Sequence, residues 1–168
     1  MTKRLIPFIV LLFASNLIFS QTLKIGHINS SKVLELMPEV KTAKTQLEAV
    51  QKEYEAQLDV LITEYRTKLE DYQAKSATMT AILKKDKETE IVQLENRIKA
   101  FQEDAAEDMQ TKEMELMKPI LEKLQNVITE VAKENKYDYI LDTAGGTVLY
   151  SKDGDDITAL VKKKLGIQ

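Results

Sequence analysis

One histidine, His27, and no cysteine limit the chemistry available to this chain. With no cysteine and no second histidine, a zinc site or a Ser-His triad has little to build on, and a disulfide framework is excluded. On a short apolar strand His27 is expected as a packed or edge residue. The acidic run Glu103, Asp104, Glu107 and Asp108 puts carboxylates one helical turn apart. That spacing could hold a divalent cation, but it is also the ordinary pattern of a solvated helix face. Asp153-Gly154-Asp155-Asp156 lacks the spacing and terminal glutamate of a calcium loop, so a turn and a helix cap are expected there. Gly145-Gly146 lacks the lysine and helix start of a phosphate loop. Lys162, Lys163 and Lys164 could meet anionic lipid, but cations at a helix C-terminus also complement its dipole. No catalytic constellation, metal site or cofactor site emerges, and the chain does not read as an enzyme.

The elements around these residues explain why. From Lys41 to about Lys136 the sequence is helical in pattern, with no glycine and one proline, Pro119. The first half carries Val40, Leu47, Val50, Tyr54, Leu58, Leu61, Tyr65, Leu69, Tyr72 and Met79 at steps of three, four and seven. The second carries Ile91, Leu94, Ile98, Phe101, Ala105, Met109, Leu116, Ile120, Leu124, Val127 and Val131 at the same steps. Each is a narrow apolar stripe, as in a coiled-coil seam. A short non-periodic stretch separates them, so the tip of an antiparallel hairpin is expected near residues 76–84. About forty residues per arm at 1.5 Å each gives a reach of roughly 60 Å. Neither helix is stable alone in water, and packing one stripe on the other must hold them.

Short elements bracket this arm, which is expected over residues 38–136. Leu23 to Asn29 alternates like a strand, Ser30-Ser31 can cap a short helix, and Pro38 suits the first position of the next one, with a bend there. Pro119 should kink the second arm, either to fit the arm to its base or to act as a hinge. Tyr137 to Asp142 reads as a strand, Ala144-Gly145-Gly146 as a tight turn, and Thr147 to Tyr150 as the returning strand. Asp156 can cap a last helix over Ile157 to Leu165, stopped by Gly166. Residues 21–37 and 137–168 therefore form a small β-rich base with a C-terminal helix. Three short strands make little core and leave open edges. Association through Leu23, Ile25, Ile28, Ile140, Leu141, Val148 and Leu149 is the physical remedy, and two, three or four copies would all supply it.

Residues 1–20 stand apart. Lys3 and Arg4 precede the apolar run Leu5 to Leu17, and the small Ser20 follows. This is the pattern of a secretory signal peptide cleaved after about Ser20; an uncleaved membrane anchor is the alternative. With no second apolar run of spanning length, the mature chain is expected to be free of the membrane. A cysteine-free secreted chain suits a bacterial periplasm, and a lipoprotein anchor has no cysteine to use. Losing Lys3 and Arg4, with no acid, moves the formal net charge from −3 to −5. That balance argues against a nucleic-acid partner.

The order of these parts resembles the Skp (OmpH-like) periplasmic chaperone family over the whole mature chain. The residues that carry the likeness are Lys24-Ile25-Gly26-His27-Ile28-Asn29, Ser31-Lys32-Val33-Leu34, Met37-Pro38-Glu39, Lys118-Pro119-Ile120, Tyr139-Ile140-Leu141-Asp142, Val148-Leu149-Tyr150 and Asp156-Ile157-Thr158. The resemblance implies a mainly α fold with a small β part, in which long helical hairpins hang from a homotrimeric strand base. It also implies a holdase that shelters unfolded outer-membrane proteins between the arms without ATP. The best-known members are strongly basic, whereas this mature chain is acidic, with Lys84, Lys85 and Lys87 keeping some positive charge near the tip. Lipopolysaccharide binding is therefore not carried over. Under this likeness Met79, Ile82 and Leu83 at the tip could touch clients or simply close the turn. Val60, Ile62, Val92, Met114, Met117 and Leu121 lie off the stripes and could face a client or widen the seam. The competing function is a coiled-coil spacer of the envelope that binds no client.

Overall fold

A computed structural model of the chain describes residues 23–146, 148–151 and 155–167. The expected signal segment, Thr147 and Asp153-Gly154 lie outside them. In chain order the elements are β1 (Ile25–Ile28), α1 (Ser30–Leu36), α2 (Pro38–Lys75), a short 3-10 turn (Ser76–Thr78), α3 (Ala81–Glu134), β2 (Tyr139–Asp142) and α4 (Thr158–Leu165).

The arm is the antiparallel pair of α2 and α3. Pro38 opens α2, where its missing N–H costs nothing, and Thr80 opens α3 by accepting a hydrogen bond from the Leu83 N–H. At 38 and 54 residues the two helices are roughly 57 and 81 Å long. The extra length of α3 lies at the foot of the arm, where its last turns run past the start of α2. Pro119 sits inside α3, beside the buried Ile120, and the helix is assigned continuously through it. Polar groups also cross the seam. The Tyr54 hydroxyl donates to Asp108 and the Tyr72 hydroxyl to Glu88, and Lys123 pairs with Glu39. Lys68 reaches Glu90 at 3.3 Å. The carboxylates beside Tyr54 and Tyr72 hold both phenols above their ordinary ionisation range.

At the base, β1 and β2 pair in parallel, with Ile25 opposite Tyr139 and Ile28 opposite Asp142. Parallel neighbours need a long crossover, and here the whole arm is that crossover. The other edge of β1 is taken by residues 155–157. The His27 N–H donates to the Asp155 carbonyl at 2.9 Å, and the Ile157 N–H donates to the His27 carbonyl at 3.0 Å. The core below the sheet gathers Ile28, Val33, Met37, Val40, Ala43, Ile120, Leu124, Val131, Ile157 and Val161.

Three local expectations change. Tyr139–Asp142 does not form a hairpin with a returning strand: Val148, Leu149 and Tyr150 have no strand assignment. The edge of β2 that meets β1 is a parallel one, so Tyr139–Asp142 is a strand as expected but its partner is the N-terminal strand, not the segment that follows it. Asn29, not Ser30 or Ser31, caps α1, its side chain accepting from the Lys32 N–H at 3.0 Å. The last helix starts at Thr158, one residue later than expected, with the Asp156 carboxylate accepting from the Thr158 N–H at 2.8 Å.

Gly26 marks the tightest point of this base. A Cβ there would lie 2.9 Å from the Ile140 Cδ1, 3.0 Å from the Tyr137 ring and 3.2 Å from the Asp155 carbonyl. The Ile140 methyl can move aside, but the backbone carbonyl and ring cannot do so freely. Gly26→Ala is expected to cost about 1–3 kcal/mol by overpacking, read by chemical denaturation. A variant as stable as the parent would show that the sheet and residues 155–157 are not packed this closely.

Candidate functional site

Two surfaces are candidates: the sheet at the base and the flanks of the arm. The register puts Ile25, His27, Tyr139 and Leu141 on one face of the sheet and Gly26, Ile28 and Ile140 on the other. The second face meets the core, where Ile28 is buried and Ile140 is half-buried. The first face is uncovered: Ile25, Tyr139 and Leu141 are exposed, as is Leu23 just before the strand. Leu149 is 96% exposed and Tyr150 84% exposed, while Val148 is half-buried. The residues expected to serve association thus divide, with Ile28 and Ile140 turned inward and Leu23, Ile25, Leu141 and Leu149 outward. Sequence reasoning missed Tyr139 and Tyr150. Tyr139 joins Ile25 only through the parallel register, which local alternation does not encode. The Nε2 of His27 is enclosed and meets no hydrogen-bond partner among the described residues.

Beside this sheet an open groove of about 880 Å³ runs along the foot of α3. Leu34, Leu121, Leu124, Ile128 and Ile140 supply its apolar wall, and Ser30, Gln125 and Asp142 its polar one. Two aspartates fasten elements of the base, Asp142 at this groove and Asp156 at the start of α4. Asp142 accepts from the Ser30 hydroxyl, from the Ser30 N–H at 3.1 Å and from the Ala144 N–H at 2.9 Å. Partial burial works against its ionisation, but those donors outweigh it and hold the carboxyl below the ordinary aspartate range. Asp156 is depressed in the same way: burial opposes it, and Thr158, His27 and Lys32 prevail.

On the arm, Val60, Val92, Met114 and Leu121 are exposed, and Ile82 is 77% exposed at the tip, next to an exposed Leu83. Ile62 and Met79 are half-buried. Met117 differs from the rest: it packs against the base core and so belongs to the foot of the arm, not to a free flank. Of the acidic run, Asp108 is engaged by the Tyr54 hydroxyl and lies 3.5 Å from Lys112. Among the described residues no three His, Asp or Glu side chains converge as a metal site would need. Also among them, no helix is long and apolar enough to cross a membrane.

The aspartate fastenings give the base an acid-sensitive stability. A depressed folded pKa contributes stability that is present above the unfolded aspartate value and lost as pH falls through the folded one. Thermal stability is therefore expected to decline from about pH 5 downward. An Asp142→Asn/Asp156→Asn variant should be less stable at neutral pH and change less on acidification. Parallel pH profiles for variant and parent would assign the acid sensitivity to other groups.

Comparison with known proteins places this architecture. Residues 24–165 match the family model described as outer membrane protein (OmpH-like). The chaperone protein Skp of Yersinia enterocolitica is 27% identical over 145 residues, covering 86% of this chain and 87% of that one. The chaperone protein Skp of Blochmanniella pennsylvanica is 31% identical over 148 residues, covering 85% and 86%. The crystal structure of an OmpH-like protein from Caulobacter crescentus superposes with a TM-score of 0.74 at 16% identity, covering 86% of this chain and 84% of that one. A helical arm closed by a two-stranded parallel sheet, together with a family match spanning both, makes this chain a member of the OmpH-like family.

Proposed function

We propose that the protein is an ATP-independent periplasmic holdase that binds unfolded outer-membrane proteins between its arms and keeps them from aggregating. The observation that carries this reading is the set of exposed apolar side chains off the seam: Val60, Ile82, Val92 and Met114. A spacer has no use for them, since its apolar residues need only hold the hairpin together. Unfolded barrel proteins expose alternating apolar strands and aggregate quickly. Scattered apolar contacts on long arms shield such chains through many weak interactions, and release can follow client folding into the membrane, so no nucleotide is required. The relatives named as Skp chaperones support the same role.

The cage itself comes from association at the base, in our reading as a homotrimer. Ile25, Tyr139, Leu141 and Leu149 would be covered by neighbouring copies, which also gives the open edge of β2 a partner. The N-terminal segment would deliver the chain to the periplasm and be removed there. The acidic mature chain gives lipopolysaccharide no evident attraction.

Two measurements test this. The mature protein at one cage per client, without nucleotide, should abolish most light scattering when an unfolded outer-membrane protein is diluted from denaturant; unchanged scattering would leave the spacer as the better reading. Native mass should correspond to three chains. Leu141→Asp should shift it toward one chain, because a charge in a buried apolar interface costs several kcal/mol. A parent protein that is already a single chain would rule out the cage.

A further inference from the structure

The packing of the arm is interrupted in its middle. Buried residues occur at the foot (Val40, Ala43, Ile120) and again farther out (Leu61, Ile91, Leu94), with none between them on either helix. In the gap Tyr54 and Phe101 meet edge to face at 6.0 Å, and the short side chains of Ala105 and Ala106 leave the seam unfilled beside them. The result is an open apolar notch of about 210 Å³, walled chiefly by Tyr54, Leu58, Phe101, Ala105 and Met109. Glu55 stands on its rim.

The charge of the chain is concentrated at the same level. Residues 47–60 and 95–110 together hold nine acidic and three basic side chains. The outer arm, residues 61–94, holds six of each, and the foot, residues 38–46 and 111–136, holds six acidic and seven basic. The acidity of the mature protein is therefore a belt around the notch, not a property of the whole surface.

We propose that this belt and notch form a docking site for cationic, apolar segments of unfolded chains: an aromatic or large aliphatic side chain enters the notch, and flanking lysine or arginine lies against the carboxylates. The inference rests on the chaperone reading above and adds a client preference to it. Ring edges and faces at Tyr54 and Phe101 suit an inserted aromatic group. A belt of carboxylates beside the notch favours cationic segments and repels acidic ones. Shape alone would accept any apolar side chain, so the charge of the flanking residues sets the selection.

The chain contains no tryptophan, so the emission of a tryptophan-bearing peptide reports its own binding. Two extended peptides of identical apolar sequence serve as probes, one with lysines flanking the tryptophan and one with glutamates. The intact mature protein should bind the lysine peptide at least about tenfold more tightly at low salt, with the advantage shrinking as salt screens the belt. Glu48→Gln/Glu55→Gln/Glu103→Gln should remove most of that advantage, and Ala106→Leu, which fills the notch with a good helix former, should weaken binding of both peptides. Circular dichroism confirms that each variant is folded. Equal binding of the two peptides by a parent that still suppresses client aggregation overturns this inference and leaves the chaperone reading intact. Failure to bind either peptide or to suppress aggregation overturns both. Undiminished peptide binding by Ala106→Leu, or a change in its native mass, also overturns the proposal, the latter by assigning the notch to a neighbouring copy.

Discussion

The parallel pairing of Ile25–Ile28 with Tyr139–Asp142 holds the two feet of the arm together. Everything between those strands, more than half of the chain, is their crossover. The sheet is only four residues long, and its security comes from what surrounds it. Residues 155–157 bond to the far edge of β1, and α4 lays Val161 into the core. Asp142 ties the end of β2 to the start of α1, and Lys164 reaches Glu130 and Glu134 across from α4 to α3. Local changes such as a methyl group on Gly26 therefore bear on the placement of the whole arm.

Burial is unevenly distributed along the molecule. The base has a small, dry core; the outer half of the arm has a shorter one around Leu61, Ile91 and Leu94. Between them the helices are held by half-buried side chains and by the Tyr54–Phe101 contact, with Tyr54 fastened to Asp108. Exposed ion pairs and hydrogen bonds contribute little stability each, so the middle of the arm depends on weak contacts. Few buried apolar contacts are the physical signature of a segment that opens easily. Under the proposed holdase reading, such an arm would accommodate varied shapes better than a tightly packed coil.

The uncovered face of the sheet links fold to assembly. A single chain leaves Ile25, Tyr139 and Leu141 in water, and Leu149 and Tyr150 more exposed still. An apolar strip of that kind on a base with so little core of its own is what the proposed association would cover. The acidic belt has a different consequence. Charge of one sign confined to the middle of each arm repels the same level of its neighbours if arms are grouped around one base, which would favour keeping them apart for an incoming chain.

Helical periodicity made most of this legible in advance. The apolar stripes specify two long helices because a side-chain pattern at threes and fours admits no other regular element, and the break between them falls where Ser76–Thr78 turns. The last helix was legible for the same reason, and the strand at Tyr139–Asp142 from its run of aromatic and aliphatic residues ahead of a glycine turn. What sequence alone could not decide was partnership. Val148-Leu149-Tyr150 is a run of strand-favouring residues after a Gly-Gly turn, yet β2 pairs with β1, more than a hundred residues away, and among the described residues the nearer segment pairs with no strand. Strand pairing is a nonlocal contact between backbones, and no local pattern of side chains encodes its partner or direction. The same holds for the notch at Ala105 and Ala106, since a helical stripe lists the residues on a seam but not the spaces left when two stripes meet. Sequence determined the long helices, the break between them and their charge; only tertiary structure decided which strands pair, which faces are buried and which are left open.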